Sequence, residues 1–249
     1  MTVVAEASET VTVTGGGLAG DAYRLAREHM AALAPVWFAF AAWFTAQTIW
    51  RHATGLEEPG PHALAAELGD FALALGPSLA SAVALRVLAG APAWRLDRGL
   101  VEYVGLTWAA SVLSGGAPSV IGDLTPGPVG VARLPILIVQ LALVVVLIWL
   151  GVRLQLWPVG RLFGAPATAG QSWRRTRGAV WPYVWGFILV VVAPFVPALV
   201  FFKGYAASGA APLAIAAAAA KAVGAVLAAG VTLRLYQLRG AAEPAAHDG

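Results

Sequence analysis

Six stretches of the chain are apolar for about the thickness of a bilayer, and the polar residues collect between them. They run over residues 33–50, 71–90, 101–121, 133–156, 180–202 and 211–235. A hydrocarbon core of about 30 Å takes roughly 20 residues of helix at about 1.5 Å each, so every stretch is close to a crossing. The fourth and fifth are almost unbroken runs of Val, Leu, Ile and Phe. The third is the most polar, interrupted by Ser111, Ser114 and a Gly-Gly pair. None alternates apolar and polar positions as a barrel strand does. Backbone groups in lipid must be satisfied within their own segment, so the pattern predicts helices. The expected fold is an all-α polytopic membrane helix bundle of six transmembrane helices over residues 19–240. Flexible tails are expected at 1–18 and 241–249.

The charges orient this bundle. Arg24 and Arg27 precede the first span, and Arg86, Arg95 and Arg98 lie between the second and third. Arg153, Arg161, Arg174, Arg175 and Arg177 lie between the fourth and fifth, and Arg234 and Arg239 end the sixth. Against these twelve, the other side holds only Arg51, Arg133 and Lys203. Basic residues stay on the cytoplasmic side, so both termini are expected in the cytoplasm of a cell with an inner membrane. Residues 1–20 contain Glu6 and Glu9, no Lys or Arg, and a glycine run at 15–17. They lack the basic start and apolar centre of a secretory signal and read as a flexible linker.

Composition sharpens the class. Charged residues are 12% of 249 and hydrophobic residues 59%, about half the charge that a soluble domain carries. Mean hydropathy is +0.75. The net charge of +3 is too small and too confined to loops to imply nucleic acid. With no cysteine, disulfides, thiolate metal sites and cysteine nucleophiles are excluded.

A short motif recurs three times, each time just before an odd-numbered span: AYRLARE at 22–28, AWRLDRG at 93–99 and SWRRTRG at 172–178. Each joins an aromatic residue to two arginines three positions apart, which share one helix face. Units at roughly 19–90, 91–166 and 169–240 are therefore expected to repeat a two-helix fold behind a cytoplasmic interfacial segment. Arg24, Arg27, Arg95, Arg98, Arg174, Arg175 and Arg177 become candidates for binding lipid headgroups, with ordinary interfacial anchoring as the alternative. Within residues 153–189, Arg153, Pro158, the run Ser172 to Gly178 and Trp181 are similar to the membrane domain fused to bacterial glycerophosphodiester phosphodiesterases. They also resemble stand-alone six-span proteins related to that domain. The resemblance implies a membrane architecture, not the phosphodiesterase reaction, because no segment here is long enough to hold its catalytic barrel.

Lys221 is the one ionisable residue deep inside a span, at ~15 Å from its outer end. Such residues are costly to bury and mark functional sites or snorkel to an interface. Its helix face carries Ala214, Ala217, Ala218, Gly224, Ala225, Ala228 and Thr232, small residues that suit close packing. Ser78, Ser81, Ser111 and Gln140 fall at similar depth. A polar centre of Lys221, Gln140, Ser81 and Ser111 is the alternative functional expectation, serving a small-solute or lipid carrier. The favoured expectation is a non-catalytic module that interacts with membrane lipids or organises other membrane proteins. No catalytic group, metal site or cofactor is expected. His52, Glu57, Glu58 and His62 share a loop but lack ligand spacing, and no serine has an acid–base partner nearby. Pro182, Pro194 and Pro197 are expected to bend the fifth span.

Overall fold

The computed structural model describes residues 12–56, 64–123 and 134–239, and among these there are helices and no strands. α1 (Gly15–Glu28) leads through His29 into α2 (Met30–Ala53). α3 (Leu64–Leu73) and α4 (Leu75–Leu88) form one rod with a break at Ala74. α5 (Arg98–Asp123) and α6 (Leu134–Leu154) follow, then the short α7 (Leu156–Leu162) and α8 (Ala169–Arg175). α9 (Val180–Ser208) and α10 (Ala211–Arg239) close the chain as a long hairpin.

Five of these rods are long and apolar enough to cross a membrane: 30–53, 65–88, 141–162, 180–208 and 211–239. The chain is a multi-pass membrane protein with an all-α fold. α5 covers the expected third span as a single helix of 26 residues; it is not one of those five, which are drawn from the described residues alone, and its side chains from residue 112 on lie outside them. α9 displays the outward character of a lipid-facing helix. Trp181, Trp185, Leu189, Val192, Phe195, Val196 and Val200 are all exposed along it, a band of apolar surface that a water-soluble protein would bury.

α10 is the central helix. Ala214, Ala217, Ala218 and Thr232 are buried, as the small-residue face predicts, but so are Val226 and Leu227 on the opposite side. α10 therefore packs on both faces, against α9 on one and α2 and α4 on the other. Small residues permit this closeness. A Cβ added at Gly224 would lie 3.2 Å from Pro194 Cγ, and one at Gly230 would lie 3.0 Å from Ala22 Cβ. The Tyr183 hydroxyl bonds Thr232 Oγ1 at 2.9 Å, tying α9 to α10 where no water competes.

Prolines leave carbonyls that other helices satisfy. Pro77 has no N–H for the carbonyl of Leu73, and the indole of Trp43 donates to that oxygen. Trp108 Nε1 donates to Phe71 O two residues earlier, at 2.8 Å. The α3–α4 break is thus closed from α2 and α5. α9 runs unbroken through Pro194 and Pro197, and Pro182 sits in its first turn, where no N–H is needed.

The glycine run at 15–17 is not the flexible linker expected. Thr14 caps α1 by accepting a bond from Gly17 N, and Leu18 is buried. The reason is steric. A side chain at Gly15 would lie 2.7 Å from Trp185 Cβ and 3.1 Å from the α9 backbone, so the glycine lets α1 lie directly on α9. The tail is ordered helix from Gly15 on; residues 1–11 and 240–249 lie outside the described residues.

Candidate functional site

Contacts between helix ends gather the arginines at one end of the bundle. Arg86, at the end of α4, is almost fully buried, and one of its Nη groups meets Asp97 Oδ1 at 2.6 Å. Its other Nη donates to the carbonyl of Arg95. Arg153, at the end of α6, donates through Nη1 to the carbonyl of Trp173 at 2.9 Å. Its guanidinium also lies over the rings of Trp173 and Trp149, 5.0 and 5.4 Å from their centroids. Ser172 Oγ returns a bond to Arg153 O at 2.8 Å. Arg234, near the end of α10, meets Asp21 Oδ2 at 2.6 Å.

These three arginines are in the same relation to the chain. Each lies in the last part of its helix, and each bonds at or beside a basic-aromatic segment elsewhere in the chain. Arg86 takes the segment at 93–99, Arg153 takes that at 172–178, and Arg234 takes Asp21, the residue just before the segment at 22–28. The sequence reading missed this role. Its signal is a tripeptide with arginine between branched aliphatic residues: Leu85-Arg86-Val87, Val152-Arg153-Leu154 and Leu233-Arg234-Leu235.

The motif arginines themselves face outward. Arg24, Arg27, Arg95, Arg98, Arg174 and Arg177 are exposed, and Arg175 is half-buried. Tyr23, Trp94 and Trp173 are exposed beside them. Arg24 and Arg27 lie six and three residues before the start of α2, and Arg174 and Arg177 lie six and three before α9. The middle copy differs. Its residues 93–97 are not helical, and Arg98 is itself the first residue of α5. Asp97 occupies the capping position there, accepting from Leu100 N at 2.9 Å, which explains why the motif turns directly into the helix. That backbone bond, and then the Arg86 guanidinium, hold the Asp97 carboxyl below its ordinary value of 3.8.

Two serines of the expected polar centre bond within α4–α5 and within α5. Ser81 Oγ pairs with the Tyr103 hydroxyl at 3.0 Å, joining α4 to α5. Ser111 Oγ donates to Thr107 O in its own helix. The side chain of Gln140 lies outside the described residues, as do Glu57, Glu58 and His62. Lys221 is half-buried, with Nζ 5.5 Å from the centroid of Phe202 on α9. Lys221 lies ten residues past the start of α10, and Phe202 six before the end of α9, so the ammonium leans ~6 Å toward the α9–α10 turn. That is the direction in which helical side chains tilt and the direction of snorkelling.

Replacing Lys221 by Leu is expected to leave insertion intact and thermal stability equal or higher. The change removes an ammonium that is costly to hold among apolar helices. Lys221→Glu is expected to lower stability, because the face of an aromatic ring repels an anion. Thermal unfolding in detergent measures both, and a Leu variant that fails to assemble would show that the ammonium holds α9 and α10 together. No family model, curated protein or solved structure matches the chain.

Proposed function

We propose that this protein is a non-catalytic membrane module that binds anionic lipid headgroups along the cytoplasmic rim of its bundle. One observation carries the reading: arginines and aromatic side chains stand exposed together at one end, at the edge of a wall of apolar helices. An exposed guanidinium beside an interfacial aromatic ring suits a phosphate at the level of the headgroups. The opposite end supplies only Arg51 and Lys203 among the described residues.

In this reading α5 is the sixth span. α4 and α6 both end at the arginine clasps, so α5 must cross away from that end for α6 to return to it. The three clasps support three repeated units, each docked on another through its arginine, with the middle unit having lost its leading helix. The resemblance to the phosphodiesterase-associated membrane domain fits a module that meets lipid without transforming it.

The chain has no native cysteine, so single cysteines report topology without background. Cysteines at positions 27, 95 and 177 are expected to react with a membrane-impermeant thiol reagent only after the inner membrane is opened. Cysteines at 54 and 207 are expected to react in intact cells whose outer barrier is permeable. Lipid retained by the purified protein is expected to be richer in anionic headgroups than the membrane it came from. Labelling at 27 or 177 in intact cells, or a retained lipid pool matching the bulk, contradicts the proposal.

A further inference from the structure

α5 and α7 pack closely where α5 begins. A Cβ at Gly99 would lie 2.5 Å from Arg161 O, so the first turn of α5 rests on the α7 backbone. Below that contact a groove of about 410 Å³ opens between the helices, lined by Arg98, Val101, Glu102, Gly105 and Leu106 of α5 and by Trp157 and Arg161 of α7. The α5 residues fall at successive helical turns on one face, and Trp157 and Arg161 at one-turn spacing on the other. Among the described residues, no atom beyond the local α5 backbone stands within 4 Å of where a side chain at Gly105 would begin.

The groove is charged at one end only. Glu102 Oε1 meets Arg98 Nε at 2.6 Å, and Glu102 Oε2 lies 3.7 Å from Arg161 Nε. Arg161 Nε also donates to Ala167 O at 2.9 Å. Among the described residues, every polar contact of Arg98 and Arg161 is made through Nε. The Nη pairs of both guanidinium groups remain for an anion, and two arginines against one carboxylate leave a net positive charge. From Arg98 to Leu106 the wall runs ~12 Å at helical rise and becomes wholly apolar, with Trp157 opposite.

We propose that this groove holds a single anionic phospholipid, its phosphate against the Nη groups of Arg98 and Arg161 and one acyl chain along Val101, Gly105 and Leu106. The assignment rests on the lipid-binding reading above and selects one site within it. A free anion would be served by the arginines alone. The apolar wall below them, open at Gly105, matches a ligand that continues from phosphate into hydrocarbon.

The test uses the full chain in mild detergent, titrated with phosphatidylglycerol or phosphatidylcholine and read by native mass spectrometry. The first phosphatidylglycerol is expected to bind about tenfold tighter than phosphatidylcholine, as charge-assisted pairing implies. Gly105→Leu fills the groove, and because leucine favours helix over glycine and meets open space there, the variant folds. It is expected to lose the first lipid by about tenfold while keeping weaker ones, and Arg98→Gln to lose it through the headgroup. Arg24→Gln with Arg174→Gln is expected to do the reverse. A Gly105→Leu protein that keeps its first phosphatidylglycerol at wild-type affinity overturns the groove assignment and leaves the rim reading standing. Equal binding of both lipids by the wild type overturns both. Displacement of the first lipid by glycerol phosphate at the concentration at which intact lipid displaces it makes this a phosphate site and overturns the lipid assignment.

Discussion

Replacing Arg86 by Leu is expected to cost on the order of 3 kcal/mol, the largest loss of stability from any single arginine. Breaking a buried ion pair typically costs about 3–5 kcal/mol, because the partner is left without its counter-charge. Arg86 is 3% exposed, whereas Asp97 keeps a third of its side chain open, so the abandoned carboxylate rehydrates and the loss falls at the low end. The same change also strips the Arg95 carbonyl of its donor and frees the turn that begins α5. Arg86→Lys is expected to recover only part, since an ammonium cannot span Asp97 and Arg95 O as a guanidinium fork does. Arg95→Leu is the matched control: its side chain is 73% exposed and its bridge to Asp97 is long, so it should change stability by less than about 0.5 kcal/mol. Thermal unfolding of the three variants in one detergent measures the order.

Acid should mimic the Arg86 variant. The Asp97 carboxyl is held low by the Leu100 N–H and by Arg86, so its contribution is complete above the ordinary value of 3.8. That contribution fades as pH falls below 3.8 through the depressed value. Stability of the wild type is therefore expected to be insensitive to this group at neutral pH and to decline below about pH 4, with Arg86→Leu showing less of the decline.

The apolar runs made the helices legible because a bilayer demands both length and continuity, and span positions depend on little else. Their ends were less legible. α9 continues to Ser208 and α3 begins near Leu64, since residues such as Lys203, Glu67 and Asp70 lower hydropathy without interrupting a helix. The glycine run at 15–17 has the composition of a linker, and only the approach of α9 makes it a packing surface. The outward arginines were visible from the aromatic motif. Arg86, Arg153 and Arg234 were counted among the same basic residues, yet they point inward to backbone carbonyls and carboxylates. Charge alone does not distinguish a guanidinium facing lipid from one clasping its own chain. The flanking aliphatic residues carry that difference: all but Leu154 are buried, and an arginine between them is drawn in.

The second large effect concerns the rim. Replacing Arg24, Arg27, Arg174 and Arg177 together by Gln removes four exposed charges, each worth about 1 kcal/mol near an anionic surface. These positions are exposed, so the fold itself should lose little. Preference for anionic lipid along the rim, outside the α5–α7 groove, should then fall by at least about tenfold. The direct measurement is the unfolding midpoint of the full chain in nanodiscs of phosphatidylcholine, with and without phosphatidylglycerol, at low and high salt. A ligand that binds the folded state raises its stability, and salt screens exposed charges. The wild type is expected to gain from phosphatidylglycerol at low salt and to lose most of that gain at about 1 M salt, while the fourfold variant keeps only the smaller gain that the single α5–α7 groove supplies. A fourfold variant stabilised by phosphatidylglycerol as much as the wild type, or a wild type indifferent to it, would contradict a lipid-binding rim.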